Sequence, residues 1–322
     1  MRKTSRGFSL VELMIAMTLG LLVLGGAIGI FVANQNTSRT NSALSDLQTV
    51  ARLSFQLMSH DIRNAGFAGC TNNMRVANTI AIAGVRPAWA DWATGRGIQG
   101  FAAPVPQVNG LTPLANTEML RVMYGSGASN TINNYNGSVI NLNLNSVVEA
   151  GEVAIACDDN LTSIFQVNET GASTVTHLLA GLNSDANLGF VDPQLWAPGL
   201  AEPRNFSANS MFMRFESVAW FVARSVDDPD VSSLYRASLL GDTQVNEEVL
   251  FGVSDLQFQY LNGNTGVFQT AAAVTAAAGW GEVSAVNVTV TLDPAVLQGV
   301  EVPQAARTFS FLVSLRNRQV VR

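Results

Sequence analysis

The sequence predicts an α+β fold in which one long N-terminal helix packs on a mainly antiparallel β domain. An apolar run over residues 8–33 passes into an amphipathic segment, 34–66, whose apolar residues recur at steps of three and four. After residue 66 the pattern changes to short apolar or alternating runs separated by Pro, Gly and Asn, which is typical of strands joined by turns. We therefore expect a helix whose first half spans a membrane and whose second half is amphipathic.

The apolar run has the length and composition of a membrane-spanning helix. It contains 26 residues with a single formal charge, Glu12. At about 1.5 Å per residue it extends roughly 39 Å, which exceeds a hydrocarbon core of about 30 Å. Arg2, Lys3 and Arg6 precede it, and this basic flank predicts that the N-terminus stays in the cytoplasm while the rest of the chain crosses the membrane. Because no small-x-small cleavage site follows, the run is not typical of an ordinary secretory signal.

Glu12 needs a partner, because a carboxylate inside a membrane-spanning helix is unfavourable. If the chain is cut after Gly7, the new α-amino group of Phe8 becomes a cation about one helical turn away, in the same chain or in a neighbouring one. Glu12 would then neutralise that amine and set the axial register of adjacent subunits. The alternative is a plain membrane anchor with Glu12 reaching the interface. Further along, Gly25 and Gly29 form a small-x-x-x-small face that would let another helix approach closely.

Residues 7–16, with the sequence GFSLVELMIA, resemble the class III leader and helix start of type IV pilins and type II secretion pseudopilins. The resemblance implies a leader peptide, 1–7, removed after Gly7 by a prepilin peptidase, and N-methylation of Phe8. It also implies a pilin fold: a transmembrane and filament-core helix, 8–33, its amphipathic continuation, 34–66, and a periplasmic β-rich domain, 67–322. Before assembly the protein would lie in the inner membrane, and afterwards in a pilus at the cell surface.

The amphipathic segment carries two apolar stripes. The longer stripe contains Leu44, Leu47, Ala51, Phe55, Met58 and Ile62, and the shorter one contains Val50, Leu53 and Leu57. One interpretation assigns one stripe to the chain's own domain and the other to adjacent subunits; the alternative is a single wide face buried within the chain. Arg63 in the last turn and Gly66 predict the end of the helix.

The remainder of the chain reads as a series of strands. We expect strands over residues 119–124, 139–144, 153–157, 163–167, 211–224, 233–237, 256–261, 282–292 and 308–316. Residues 225–230 read as a hairpin loop, and Asn246–Val253 as a short helix. Segment 71–118 is rich in Gly, Ala, Asn and Pro and predicts a long irregular excursion. Cys70 and Cys157 both lie on the translocated side, where an even number of cysteines predicts a disulfide.

Composition and motifs argue against nucleic-acid binding and against catalysis. The formal net charge is −6, and it becomes −9 when the three basic residues of the leader are removed, so a basic stripe for phosphates is not expected. His60 and His177 have no ligand-type residues at metal-binding spacing. The acidic clusters Asp158-Asp159 and Asp227-Asp228-x-Asp230 lack the spacing of a calcium loop and are expected to be solvated turns. We expect neither an enzyme nor a cofactor.

Five further segments resemble the PilW-type minor pilins, which are themselves similar to the J-type pseudopilins of type II secretion. These segments are residues 63–70, Cys157 with the strand ending at 165–167, residues 233–236, residues 253–260 and residues 315–318. The resemblance implies a minor subunit at or near the pilus tip that initiates assembly with other minor pilins, the major pilin and a tip adhesin. Two alternatives stay open: a J-type pseudopilin, and an anchored adhesin or DNA-uptake pilin that binds through residues 71–210.

Overall fold

The computed structural model describes residues 9–70, 75–189, 203, 205–240, 243–297, 300 and 302–318. Its dominant element is α1 (Leu10–Asn64), a continuous helix of 55 residues. The shorter helices are α2 (Trp92–Gly95) and α3 (Ala271–Ala276). The strands are β1 (Arg75–Asn78), β2 (Ile98–Phe101), β3 (Met119–Tyr135), β4 (Val139–Leu142), β5 (Val153–Cys157), β6 (Leu161–Gln166), β7 (Glu169–Thr170), β8 (Thr174–Thr176), β9 (Met211–Arg224), β10 (Ser232–Leu240), β11 (Thr243–Phe251), β12 (Val253–Asn262), β13 (Phe268–Gln269), β14 (Val283–Leu292) and β15 (Thr308–Ser314).

The larger sheet has 11 strands and is organised around β9. β3 pairs along one side of β9, while the other side pairs with β5 in its first half and with β10 in its second half. β6 and β1 extend the β5 side, β11 extends the β10 side, and β4, β8 and β7 continue from β3. All described pairs are antiparallel except β1 with β6. The predicted α+β class is therefore confirmed, and the predicted hairpin loop joins β9 to β10.

The smaller sheet has four antiparallel strands in the order β13-β12-β14-β15. The second half of α1 packs against both sheets, because its buried residues share one core with side chains from each. Alternation along the first part of β3 and the second part of β9 places every second residue there in this core, including Val122 and Trp220. The helix thus serves as the layer on which both sheets bury an apolar face.

Both apolar stripes of α1 contribute to this core. Met58 and Ile62 of the longer stripe are fully buried, and Val50 and Leu57 of the shorter stripe pack against the same cluster. For Val50 and Leu57 the structure therefore favours one wide face buried within the chain over contacts with adjacent subunits. Leu53 remains 39% exposed.

The opposite face of the larger sheet is covered by the segment that the sequence predicts to be irregular. This prediction is partly wrong, since residues 75–118 contain β1, α2, β2 and a short 3-10 helix, Ala88–Ala90. Trp89 and Trp92 are buried here against side chains of β5 and β9. Local composition hides this order because the two tryptophans are fixed by contacts with strands that lie far along the chain.

The predicted short helix Asn246–Val253 is wrong. Residues 243–251 form β11, which pairs with β10 along its whole length, and β12 begins at Val253. Val249, Leu250 and Val253 have a spacing that fits a helical face, but pairing with a long neighbouring strand satisfies the backbone of this segment instead. Tertiary context overrides local propensity here.

Candidate functional site: the exposed half of the long helix and its attachment

The first half of α1 lies outside the β domain. Every residue from Leu10 to Ser42 is exposed, and the first buried position is Ala43. At about 1.5 Å per residue, these 33 residues form roughly 50 Å of free helix. Leu22, Val23 and Ile30 are each 72% exposed, although their side chains favour an apolar environment. By length and composition this helix is able to cross a membrane, and its apolar surface is one that lipid or other helices would cover.

The predicted site residues at the start of the helix lie on this exposed half. Glu12 Oε2 is 3.5 Å from the backbone nitrogen of Ser9, the N-cap residue, so the carboxylate lies at the positive end of the helix dipole. Gly25 and Gly29 lie on the same exposed half, with no other atom within 4 Å of where a Cβ would stand. Gly7 and Phe8 lie outside the described residues, so the cleavage site stays a prediction.

The second half of α1 is joined to the larger sheet by a buried carboxylate, Asp61, whose side chain is 3% exposed. The Arg236 guanidinium donates from Nε to Asp61 Oδ2 over 2.9 Å, and Trp220 Nε1 donates to the same oxygen over 3.0 Å. The Tyr124 hydroxyl donates to Asp61 Oδ1 over 2.6 Å. These three donors come from β10, β9 and β3, so one side chain of α1 binds three adjacent strands. We name Asp61, Tyr124, Trp220 and Arg236 the Asp61 cluster.

The electrostatics of the Asp61 cluster favour a charged pair inside the core. Burial raises the pKa of Tyr124 well above its usual range, and the charge and hydrogen bond of Asp61 raise it further. Burial lowers the pKa of Arg236, but the hydrogen bond and charge of Asp61 outweigh burial and the net shift is upward. The tyrosine hydroxyl therefore keeps its proton and donates a hydrogen bond to Asp61, while the guanidinium stays charged. Sequence reasoning missed this cluster, because one acidic residue in an amphipathic helix carries no signal of its distant partners.

The end of α1 is held by backbone hydrogen bonds and by a disulfide. The N–H of Gly66 donates to the carbonyl of Met123 over 2.9 Å, and the N–H of Gly125 donates to the carbonyl of Phe67 over 2.7 Å. The predicted disulfide is confirmed, as Cys70 is bonded to Cys157 at the end of β5. The helix end is thus attached to β3 and, through a covalent bond, to β5.

Arg318, near the C-terminus, binds the segment that follows α1. Its guanidinium donates to the carbonyls of Gly95, Arg96 and Trp280. Burial lowers the pKa of Arg318 to about 10, with a further contribution from the charge of Arg96. The group stays charged at neutral pH and joins the chain end to the segment that follows α1.

The other polar residues named from the sequence have structural roles. Asp158 Oδ1 accepts from the backbone nitrogens of Asn160 and Leu161 and so closes the turn between β5 and β6. Asp228 Oδ1 accepts from the backbone nitrogen of Asp230 in the loop between β9 and β10. Within the described ranges, no group of three or more His, Cys, Asp or Glu side chains is placed to hold a metal ion.

His60 and His177 occupy different environments. His60 is mostly exposed on α1, with Nδ1 3.3 Å from Asp61 Oδ1. His177 is buried, stacks on Tyr135 and lies 2.8 Å from its hydroxyl through Nε2. Burial lowers the pKa of His177 to about 4, so its imidazole is neutral at physiological pH.

Comparison with known proteins identifies a motif at the N-terminus. Residues 2–28 match the family model described as the prokaryotic N-terminal methylation motif. Neither the curated proteins nor the solved structures gave a match. The matched segment contains the predicted cleavage site, Glu12 and Gly25, and it heads the exposed half of α1. The motif together with this geometry indicates a type IV pilin-like or pseudopilin-like prepilin.

Proposed function

We propose that this protein is a PilW-like minor pilin that helps to initiate type IV pilus assembly and lies at or near the pilus tip. The observation that carries the proposal is the methylation motif at the head of a helix whose apolar first half is exposed and extends beyond the β domain. The proposed role is assembly and not catalysis. Its partners are other minor pilins, the major pilin, a tip adhesin and the prepilin peptidase.

In this proposal the apolar half of α1 has two successive environments. Before assembly it crosses the inner membrane, with the N-terminus cytoplasmic and the β domain periplasmic. After cleavage at Gly7, the methylated amine of Phe8 pairs with Glu12 of a neighbouring subunit while the helix moves from lipid into the filament core. The open face at Gly25 and Gly29 lets a second helix pack closely.

The minor-pilin assignment is supported by what the PilW-like segments do in the structure. Residues 63–70 form the end of α1 and reach the disulfide. Residues 233–236 supply Arg236 to the Asp61 cluster, and residues 315–318 supply Arg318. Two segments on which the resemblance depends therefore contribute to the attachment of α1 to the β domain, and a third binds the segment that follows α1.

A J-type pseudopilin of a type II secretion system is the second candidate, because the methylation motif is equally compatible with it. A clean deletion, scored in parallel for surface pili and for secretion of a reporter protein, distinguishes the two. We expect loss of pili with normal secretion, restored by the wild-type gene. Normal pili with failed secretion would establish the pseudopilin instead, and no change in either assay would contradict both assignments.

The role of Glu12 is tested by Glu12→Val in the complementing gene. We expect normal leader cleavage, because the substitution leaves Gly7 and Phe8 unchanged, together with a large fall in the amount of subunit recovered with sheared filaments. Glu12→Gln removes the charge while keeping shape and polarity, so it should lower incorporation in the same way if charge pairing is responsible. Incorporation of Glu12→Val at the wild-type level would refute the pairing mechanism.

A further inference from the structure

β15 is an edge strand of the smaller sheet with features that proteins normally avoid at an edge. Within the described residues β15 pairs with β14 and with no other strand. It is seven residues long, Thr308–Ser314, and contains no charged residue and no proline. Its pairing with β14 runs without a register shift, so the strand has no bulge. Long, flat and uncharged edges are prone to pair with a further strand.

The other outermost strands of the two sheets are protected. β1 and β2 have four residues each, and β7 and β13 have two each. β11 is longer, with nine residues, but it carries Glu247 and Glu248 and has a register shift against β10. Short length, charge and bulges are the usual means of blocking edge pairing. β15 is the exception among these strands.

The side chains of β15 continue an apolar surface that reaches α1. Val313 is buried in the main core, while Phe309 and Phe311 are partly buried against it. The Phe311 ring meets the half-buried Phe55 ring of α1 edge-on, with centroids 4.9 Å apart. On the opposite face Leu312 is 55% exposed. A strand added beside β15 would extend the sheet next to α1 and cover the open sides of Phe55 and Phe311.

We propose that β15 binds an extended segment of another filament subunit by β-strand addition. The backbone N–H and C=O groups of the edge supply the pairing, and this requires an extended partner. The partner segment has about seven uncharged residues, matching the length of β15, with apolar side chains at alternate positions facing α1. The inference rests on the proposed function for the class of partner, because β15 packs on the helix through which subunits assemble.

A second copy of this chain does not fit the same edge. Antiparallel pairing of two β15 strands places a two-fold axis perpendicular to the sheet. Because α1 packs on the face of that sheet, such an axis reverses the direction of the second α1. The two apolar helix halves would then point in opposite directions and could not enter one membrane or one filament core together.

The test is photo-crosslinking from the edge in cells that assemble pili. Ser310, an exposed residue of β15, is replaced in the full-length chain by a photoreactive amino acid, and the crosslinked peptide is mapped on the partner. Leu312→Lys places a charge at the edge, and Leu312→Thr keeps a strand-forming residue without a charge. Phe268→Lys, at the exposed edge strand on the other side of the same sheet, is the matched control. Thermal unfolding of each variant confirms that it remains folded.

We expect the crosslink to map to an uncharged strand-forming segment of another pilin-like subunit. Leu312→Lys should lower its yield about fivefold or more, because a charge at an edge opposes pairing, while Leu312→Thr and Phe268→Lys leave it near the wild-type level. Crosslinks to a second copy, to a helix or charged loop, or an unchanged yield in Leu312→Lys would overturn the proposal. If deletion abolishes pili but these edge variants leave the crosslink and piliation unchanged, strand addition fails and the pilin assignment stands. If deletion leaves pili intact, the pilin assignment fails, and the crosslink still shows whether β15 binds an extended segment of a partner.

Discussion

Replacing Asp61 with asparagine tests the attachment of α1 to the β domain most directly. Asp61→Asn keeps the shape of the side chain but removes its charge and turns one acceptor into a donor. Arg236 and Trp220 both donate to Asp61 Oδ2, so an amide nitrogen at that position would face two donors. In the other orientation the amide nitrogen faces the Tyr124 hydroxyl, which must then change from donor to acceptor. In either orientation the substitution removes the negative charge that pairs with Arg236.

The expected loss follows from the burial of the pair. Removing one partner of a buried ion pair costs about 3–5 kcal/mol, chiefly because the remaining charge is left uncompensated. Arg236 has a side chain 27% exposed and a second carboxylate, Glu247, at 4.0 Å, so the lower end applies. We expect the free energy of unfolding to fall by about 3 kcal/mol, a large share of the roughly 5–15 kcal/mol typical of a folded domain.

Urea unfolding of the purified full-length chain in mild detergent, followed by tryptophan fluorescence and circular dichroism, measures this change. The matched control is Asp46→Asn, an exposed carboxylate on the same helix, which should shift stability by no more than about 0.5 kcal/mol. The double variant Asp61→Asn with Arg236→Met removes the stranded charge and should recover part of the loss. A single Asp61→Asn variant as stable as the control would refute the reasoning.

Four further predictions concern the β domain. Replacing Cys70 and Cys157 with serine should lower the free energy of unfolding by about 4–5 kcal/mol, because the disulfide joins residues 87 positions apart and so restricts the unfolded chain. Urea unfolding with and without reductant measures this loss. Tyr260→Phe should leave stability unchanged or raise it by up to about 1–2 kcal/mol, since its buried hydroxyl has no hydrogen-bond partner among the described residues. Gly100→Ala should lower the stability of the protein, because a Cβ at position 100 would overlap the hydroxyl and the ring of Tyr260. A higher melting temperature for Gly100→Ala, or a clearly lower one for Tyr260→Phe, would contradict this packing. The folded pKa of His177, about 4, is below its unfolded value of 6.5, so the free energy of unfolding should fall by about 2–3 kcal/mol as pH drops from 6.5 to 4. His177→Gln should remove that part of the pH dependence. Parallel curves of stability against pH for the two proteins would refute this prediction.

The elements with a strong local pattern were predictable from the sequence. The apolar run and the three-and-four spacing after it specify one long helix, and α1 ends at Asn64, one residue from where Ala65 and Gly66 interrupt the pattern. Strands such as β5 and β9 have the predicted bounds, because their apolar runs end at turn residues. The apolar spacing of β11 fits both a helix and a strand, and pairing with β10 decides for the strand.

The sequence by itself was enough to identify the N-terminal methylation motif, because the residues that carry it are contiguous. The predicted leader, Glu12 and the predicted glycine face all lie within residues 1–29, so a local pattern contains the whole signal. The tertiary structure alone decided how the helix is attached to the domain. Asp61 meets partners that lie 63, 159 and 175 residues further along the chain, and nothing in its local sequence distinguishes it from an exposed helical carboxylate. Such contacts depend on strand order and register, which are set when the sheets form around the helix and cannot be derived from local periodicity.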